Sequence, residues 1–304
     1  MGTARTERVG HPVEQHTGLS APSPLSLSLA GGRHAGLLAE LCTIDSALLE
    51  VLEGAIGEIY RHDRSLFSAW QQAKVLDRIE IYALHYLTPF HALWAGAREN
   101  KRAILGAMLM SGIAWRAFDN AVDGHVPPVA AHGHSLTACT ALVNYVTARI
   151  GVSGTDCAAD VGRHYRLMGV QAERERREAI PVDEIWSRCS IFMYAPESLA
   201  QLDDERLQLL RDYINYVGLA HDLSDVMSDI GSGIVSLPLQ WLAEASENGG
   251  LNARTVESMY ARAREAIRPI EARFANADVA THHPLLWRLL VNSRDVFDGH
   301  RAAP

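Results

Sequence analysis

The stretch GLAHDLSDVMSDIGSGIVSLPLQW, residues 218–241, places three aspartates inside an otherwise apolar segment. Asp222, Asp225 and Asp229 are three and four residues apart, so a helix would carry all three on one stripe, with His221 beside them. Like charges at this spacing repel one another and destabilise an isolated helix. No Lys or Arg stands four residues from any of the three. The segment therefore predicts a helix whose acidic stripe is neutralised by another group.

A second acidic cluster lies upstream in WRAFDNAVDGH, residues 115–125, at the end of a strongly apolar helical pattern. Asp119 and Asp123 are four residues apart and share a face, with Asn120 beside the first. Taken alone, either cluster is more often a solvated helix face or a loop cap. Together they favour a metal site, because an unpaired buried carboxylate is costly. Carboxylate and amide oxygens suit Mg²⁺, with Mn²⁺ as the alternative, and substrate phosphates complete the Mg²⁺ shell.

Composition excludes several classes of function. The chain has 304 residues, a formal net charge of -8 and four cysteines without a CxxC pair. The acidic balance argues against nucleic-acid binding, and the scattered cysteines indicate reduced thiols in a cytoplasmic protein. No apolar run reaches the roughly 18 to 20 residues of a membrane-spanning helix, so no membrane span is predicted.

Helical periodicity dominates the chain from about residue 36 onward, and no alternating strand pattern occurs. The predicted fold is all-α, a single-domain helical bundle at residues 36–304 that follows a flexible arm at residues 1–35. The apolar pattern ending at residue 125 predicts a central helix, and VPPVAAHGHS, residues 126–135, predicts a loop. Further helices are predicted at about 135–151, 156–179, 182–200, 203–229, 236–246, 252–275 and 283–297.

These motifs resemble those of the class I isoprenoid synthases, the terpene cyclases and trans-prenyl diphosphate synthases. DNAVD is similar to their aspartate-rich DDxxD motif, with Asn120 in place of the second aspartate. GLAHDLSDVMSD resembles the cyclases' NDxxSxxxE motif preceded by Gly-Leu, a register that makes His221, Asp225 and Asp229 metal ligands. In the prenyl-synthase register HDLSD is similar to a second DDxxD motif, which brings in Asp222.

The resemblance covers about residues 100–245. It implies a helical bundle with a central active-site cavity, three Mg²⁺ ions, an allylic polyprenyl diphosphate substrate and a homodimer. The implied metal ligands are Asp119, Asn120, Asp123, His221, Asp222, Asp225 and Asp229, and Asp119, Asp123, Asp225 and Asp229 among them are implied to be catalytic. The implied diphosphate-binding residues are Arg174, Arg176 and Arg188. The implied aromatic residues of the cavity are Trp115, Phe118, Phe192, Tyr194 and Trp241.

Some of these assignments have a simpler structural interpretation. Arg174 and Arg176 stand in the charge run ERERRE, which is typical of a solvated helix face. Arg188 can pair with Glu184, four residues earlier. Each aromatic residue is individually more often part of a hydrophobic core than of a cavity wall.

Departures from the family pattern favour one allylic substrate over condensation. The first motif is followed by GHVPPVAAHGHS, without the Arg-Arg pair that binds a second diphosphate in the prenyl elongation enzymes. The expected function is therefore that of a class I terpene synthase, a carbon–oxygen lyase of isoprenoid biosynthesis acting on farnesyl or geranylgeranyl diphosphate. Two alternatives stay open. One is a prenyl diphosphate synthase or unusual prenyltransferase, with Lys101 and Arg102 binding the second substrate; the other is a non-catalytic partner of a synthase.

Overall fold

A computed structural model of the chain describes residues 88–93, 98–122, 128–177, 202–231, 237–238, 240–241, 243 and 253–298. The helices, in chain order, are α1 (Thr88–Leu93), α2 (Arg98–Val122), α3 (Pro128–Ile150), α4 (Gly154–Arg177), α5 (Asp204–Gly231), α6 (Ala253–Asn276), α7 (Val279–His282) and α8 (Pro284–Phe297). Within these ranges there is no strand, so the predicted all-α class is confirmed there. The predicted arm at 1–35 and the predicted helix at 182–200 lie outside the described residues.

Local sequence explains where α5 begins and ends. Asp203 precedes the helix, and its Oδ1 accepts a hydrogen bond of 2.9 Å from the backbone N–H of Arg206. This is the N-cap arrangement, which satisfies a donor that has no partner inside the helix. The helix ends at Gly231, the first residue of the GSG segment. Both ends lie within two residues of the predicted 203–229.

The start of α3 corrects the sequence-based expectation. The sequence predicts a loop at residues 126–135, but the helix already begins at Pro128. Proline is tolerated at the first helical position because an N–H there would have no acceptor within the helix. Residues 129–135 are therefore helical despite their two histidines and Gly133.

α2 is buried on all sides in its middle, as its apolar composition predicts. Residues 104–110 are seven consecutive buried positions, and the helix packs against α3 and α4. A Cβ at Gly106 would overlap the Tyr145 hydroxyl and lie 2.5 Å from its Cζ. Glycine in a helix interior costs about 1 kcal/mol relative to alanine. Here that cost is offset because the missing side chain allows α2 and α3 to approach closely.

α5 is the centre of a second group of helices and packs against α1, α6 and α8. α5 and α6 run antiparallel, since Asp212 pairs with Arg273 and Tyr216 with Glu271. Buried apolar side chains of both helix groups belong to one hydrophobic cluster. None of the helices in the described ranges combines the length and the apolarity that crossing a membrane requires.

The end of α8 is fixed beside the middle of α5. The Phe297 ring, which is fully buried, contacts the Tyr216 ring edge-on at 4.9 Å between centroids. The carbonyl of Phe297 accepts a hydrogen bond of 2.9 Å from Nη1 of Arg264 on α6. A cation at this position satisfies a carbonyl at the C-terminal end of the helix and complements its dipole.

Candidate functional site

The acidic stripe of α5 exists as the sequence predicts. Because α5 is continuous from Asp204 to Gly231, His221, Asp222, Asp225 and Asp229 all lie on one helical segment. At about 100° per residue, these four positions occupy an arc of about 100° around the helix axis. The stripe lies along one edge of the apolar face that α5 turns toward the core.

Burial changes steadily across this stripe. Asp222 lies at its inner edge, next to the buried face, and is only 9% exposed. Asp229 is half-buried. The side chains of Asp225 and His221, at the outer edge, are 49% and 68% exposed. The stripe therefore spans the boundary between the core and the surface rather than lying wholly in either.

Asp225 has two polar neighbours from its own helix. Its Oδ2 lies 3.6 Å from Nδ1 of His221, a distance for electrostatic attraction but too long for a hydrogen bond. The Ser224 hydroxyl lies 2.7 Å from the His221 carbonyl oxygen and 3.2 Å from Oδ1 of Asp225. Since this hydroxyl has one proton, it donates to one of the two acceptors at a time.

Asp222 and Asp229 also take part in polar or electrostatic interactions. For Asp225, the nearby His221 ring and the Ser224 hydroxyl are the groups that can offset repulsion between carboxylates at this spacing. The sequence pattern of acidic residues alone does not identify Ser224. Ser224 could have been identified by its position three residues after His221 and directly before Asp225, because a serine hydroxyl in a helix can donate a hydrogen bond to a carbonyl of the preceding turn.

The first acidic cluster is located by the helix that carries it. Asp119 and Asn120 lie in the last turn of α2, which ends at Val122. Their side chains, and all of Asp123, lie outside the described part of the structure. Whether this cluster faces the stripe of α5 thus remains a prediction.

Phe118, directly before Asp119, contacts α4. Its ring meets the Tyr165 ring edge-to-face, with 5.1 Å between centroids. Burial raises the pKa of the Tyr165 hydroxyl well above its ordinary value, and burial also raises the pKa of the neighbouring Cys139 thiol. A thiol is a weak hydrogen-bonding group, and the described residues provide the hydroxyl with no stronger partner. The Tyr165 hydroxyl is therefore buried without a strong polar partner among the described residues, while the Phe118 side chain beside it is half-buried.

Two of the candidate arginines lie at the end of α4. Arg174 and Arg176 are in its last turn, which finishes at Arg177. Tyr145, near the end of α3, lies against Gly106, near the start of α2, and Thr147 of α3 lies against Gly154 at the start of α4. α3 therefore runs opposite to both helices, and α2 and α4 are parallel. These arginines therefore lie toward the same end of the helix group as Asp119, although their side chains are not described.

The remaining candidates are distributed as follows. Trp115 is half-buried on α2 and takes part in a further interaction. Trp241 is buried in the hydrophobic cluster, close in sequence to the buried Leu237. Arg188, Phe192 and Tyr194 lie outside the described residues, so their predicted roles stay predictions.

The described side chains do not form a complete metal site. Among them, no group of three or more His, Cys, Asp and Glu side chains converges in a way that would hold a metal ion. The stripe of α5 offers its ligands side by side along the helix, and any ion bound there needs further ligands from elsewhere. The side chains of the first acidic cluster lie outside the described residues.

Comparison with models of known protein families, with curated proteins and with solved structures gives no significant match for this chain.

Proposed function

We propose that this protein is a class I terpene synthase, a Mg²⁺-dependent lyase that ionises an allylic polyprenyl diphosphate and cyclises the resulting cation. The observation that carries the proposal is the acidic stripe of α5, held on one helix face at the edge of the core. Farnesyl and geranylgeranyl diphosphate are the proposed substrates. A single-domain bundle with a central cavity, a cytoplasmic location and a homodimer belong to the same proposal.

The ligand chemistry of the stripe fits Mg²⁺. This ion takes one or two carboxylates, while waters and phosphate oxygens fill its other positions. A stripe that presents carboxylates without bringing three to one point is compatible with that pattern. Asp225 and Asp229, with His221 or Asp222 beside them, would bind from α5, and Asp119, Asn120 and Asp123 from α2. Bound metal would supply Lewis-acid activation of the diphosphate as a leaving group.

The directions of the helices support a common site for the two clusters. The Ala92 carbonyl oxygen in α1 lies 3.3 Å from Nδ1 of His283, which immediately precedes α8. α2 begins at Arg98, five residues after α1 ends at Leu93, so it starts near this junction. α6 ends close to the N-terminal part of α5, where Arg273 pairs with Asp212. The N-terminal ends of α2 and α5 therefore both lie toward these contacts, and each acidic cluster lies at the opposite, C-terminal end of its helix.

Residues of this chain would take part in both the ionisation of the diphosphate and the cyclisation of the cation. Arg174, Arg176 and Arg188 would bind and orient the diphosphate through charge-assisted hydrogen bonds. The aromatic faces of Trp115 and Phe118 would stabilise positive charge on the hydrocarbon. The buried hydroxyl of Tyr165, whose ring contacts Phe118, supports an environment from which water would be excluded, which would protect a cation from early quenching.

A non-catalytic partner of a synthase is the second candidate. The observation that favours it is the lack, among the described residues, of three converging metal-ligating side chains. Asn120 and His221, which depart from the family motifs, point the same way. This candidate predicts stoichiometric binding to another protein and no turnover of any polyprenyl diphosphate.

Product analysis tests the proposal directly. The purified 304-residue chain is incubated with Mg²⁺ and single allylic diphosphates of ten, fifteen, twenty or twenty-five carbons, and products are identified by gas chromatography and mass spectrometry. A hydrocarbon or terpene alcohol from one substrate alone supports the terpene synthase. Product formed only after isopentenyl diphosphate is added identifies a prenyl diphosphate synthase. Absence of product together with absence of Mg²⁺-dependent diphosphate binding leaves the non-catalytic partner.

Single substitutions then test the assigned residues. Asp225→Asn and Asp119→Asn each remove one carboxylate charge at nearly constant volume, and we expect turnover to fall at least about 100-fold. Asp160→Asn is the matched control, because Asp160 forms a surface pair with Arg163 at 3.0 Å on α4. Mn²⁺ binding measured by electron paramagnetic resonance should weaken in the first two variants and not in the control. Wild-type turnover in either variant, with an intact helical circular dichroism signal, would remove that cluster from the site.

A further inference from the structure

We draw no further inference here: the strongest candidate, the exposed apolar patch of Leu136 on α3 and Leu167 and Val170 on α4, carries nothing because nothing in the structure shows what covers it.

Discussion

The pair between Asp212 and Arg273 gives the sharpest test of how α5 is held in place. Asp212 on α5 has only 1% of its side chain exposed, and Arg273 on α6 binds it through two hydrogen bonds of 2.6 and 2.7 Å. Oδ1 of Asp212 also accepts a hydrogen bond of 3.0 Å from Nε2 of Gln208. The hydrogen bonds to Asp212 raise the pKa of the Arg273 guanidinium, so Arg273 stays charged. We predict that Arg273→Ala destabilises the protein strongly.

The expected loss of stability follows from the unequal burial of the Asp212 and Arg273 side chains. Removing one partner of a buried ion pair costs about 3–5 kcal/mol, because a charge stays buried without compensation. The Arg273 side chain is 47% exposed, so water can reach part of the space that it leaves, and the lower value of about 3 kcal/mol applies. At about 2 °C per kcal/mol for a chain of this size, the melting temperature should fall by about 6 °C. Asp212→Asn should cost less, since the guanidinium that it leaves behind is accessible to water.

Urea unfolding followed by circular dichroism at 222 nm measures these differences. Arg268→Ala is the control, because Arg268 is exposed on the same helix and its loss should change the free energy of unfolding by less than about 0.5 kcal/mol. The double variant of Asp212→Asn with Arg273→Ala should be more stable than Arg273→Ala alone, since it removes the buried charge. If the double variant is no more stable than Arg273→Ala, the cost does not arise from an uncompensated carboxylate, and the reasoning is refuted.

Three further predictions test other parts of the fold. Gly106→Ala should destabilise by about 1–3 kcal/mol because the new methyl group overlaps the Tyr145 hydroxyl. Gly162→Ala should instead stabilise by up to about 1 kcal/mol, because its new Cβ meets no atom within 4 Å apart from its chain neighbours and its own helix backbone. Equal melting temperatures of the two variants would contradict the close contact of α2 with α3. Asp203→Ala should cost about 1 kcal/mol of unfolding free energy through loss of the N-cap hydrogen bond, and an unchanged urea midpoint would exclude that role. Burial raises the pKa of Tyr213 above its ordinary value of 10.0, so from about pH 10 upward the unfolded chain releases a proton that the folded chain retains. Stability should therefore fall as the pH rises above 10, and Tyr213→Phe should reduce the slope of the urea midpoint against pH; an unchanged slope would assign the fall to other groups.

Features determined by neighbouring residues could be predicted from the sequence. The all-α class follows from apolar spacing, and the ends of α5 follow from Asp203 and Gly231, because capping depends on residues within one turn. The start of α3 was predicted wrongly, since Pro128 is equally consistent with a loop and with a first helical position. The choice between them depends on whether the following residues pack against α2 and α4.

Features that depend on tertiary contacts could not be predicted. Asp212 and Arg273 are 61 residues apart, and no local pattern pairs them. For the candidate site, the sequence predicts that His221, Asp222 and Asp225 share a face, but it does not predict their different burial. Asp222 lies next to the buried face of α5, whereas His221 and Asp225 lie farther round the helix and are more exposed.

The position of the stripe distinguishes it from an ordinary solvated face. On a solvated face every carboxylate is exposed, and exposed carboxylates keep their hydration at no cost to folding. Here Asp222 is buried beside the core while Asp225 stays half-exposed on the same stripe. Burying a carboxylate costs free energy unless polar or ionic partners compensate it. The outer residues Asp225 and His221 are accessible to a charged ligand, and the inner residue Asp222 adjoins the apolar core. In the proposed function, the exposed carboxylate of Asp225 would face the polar, metal-bound end of the diphosphate.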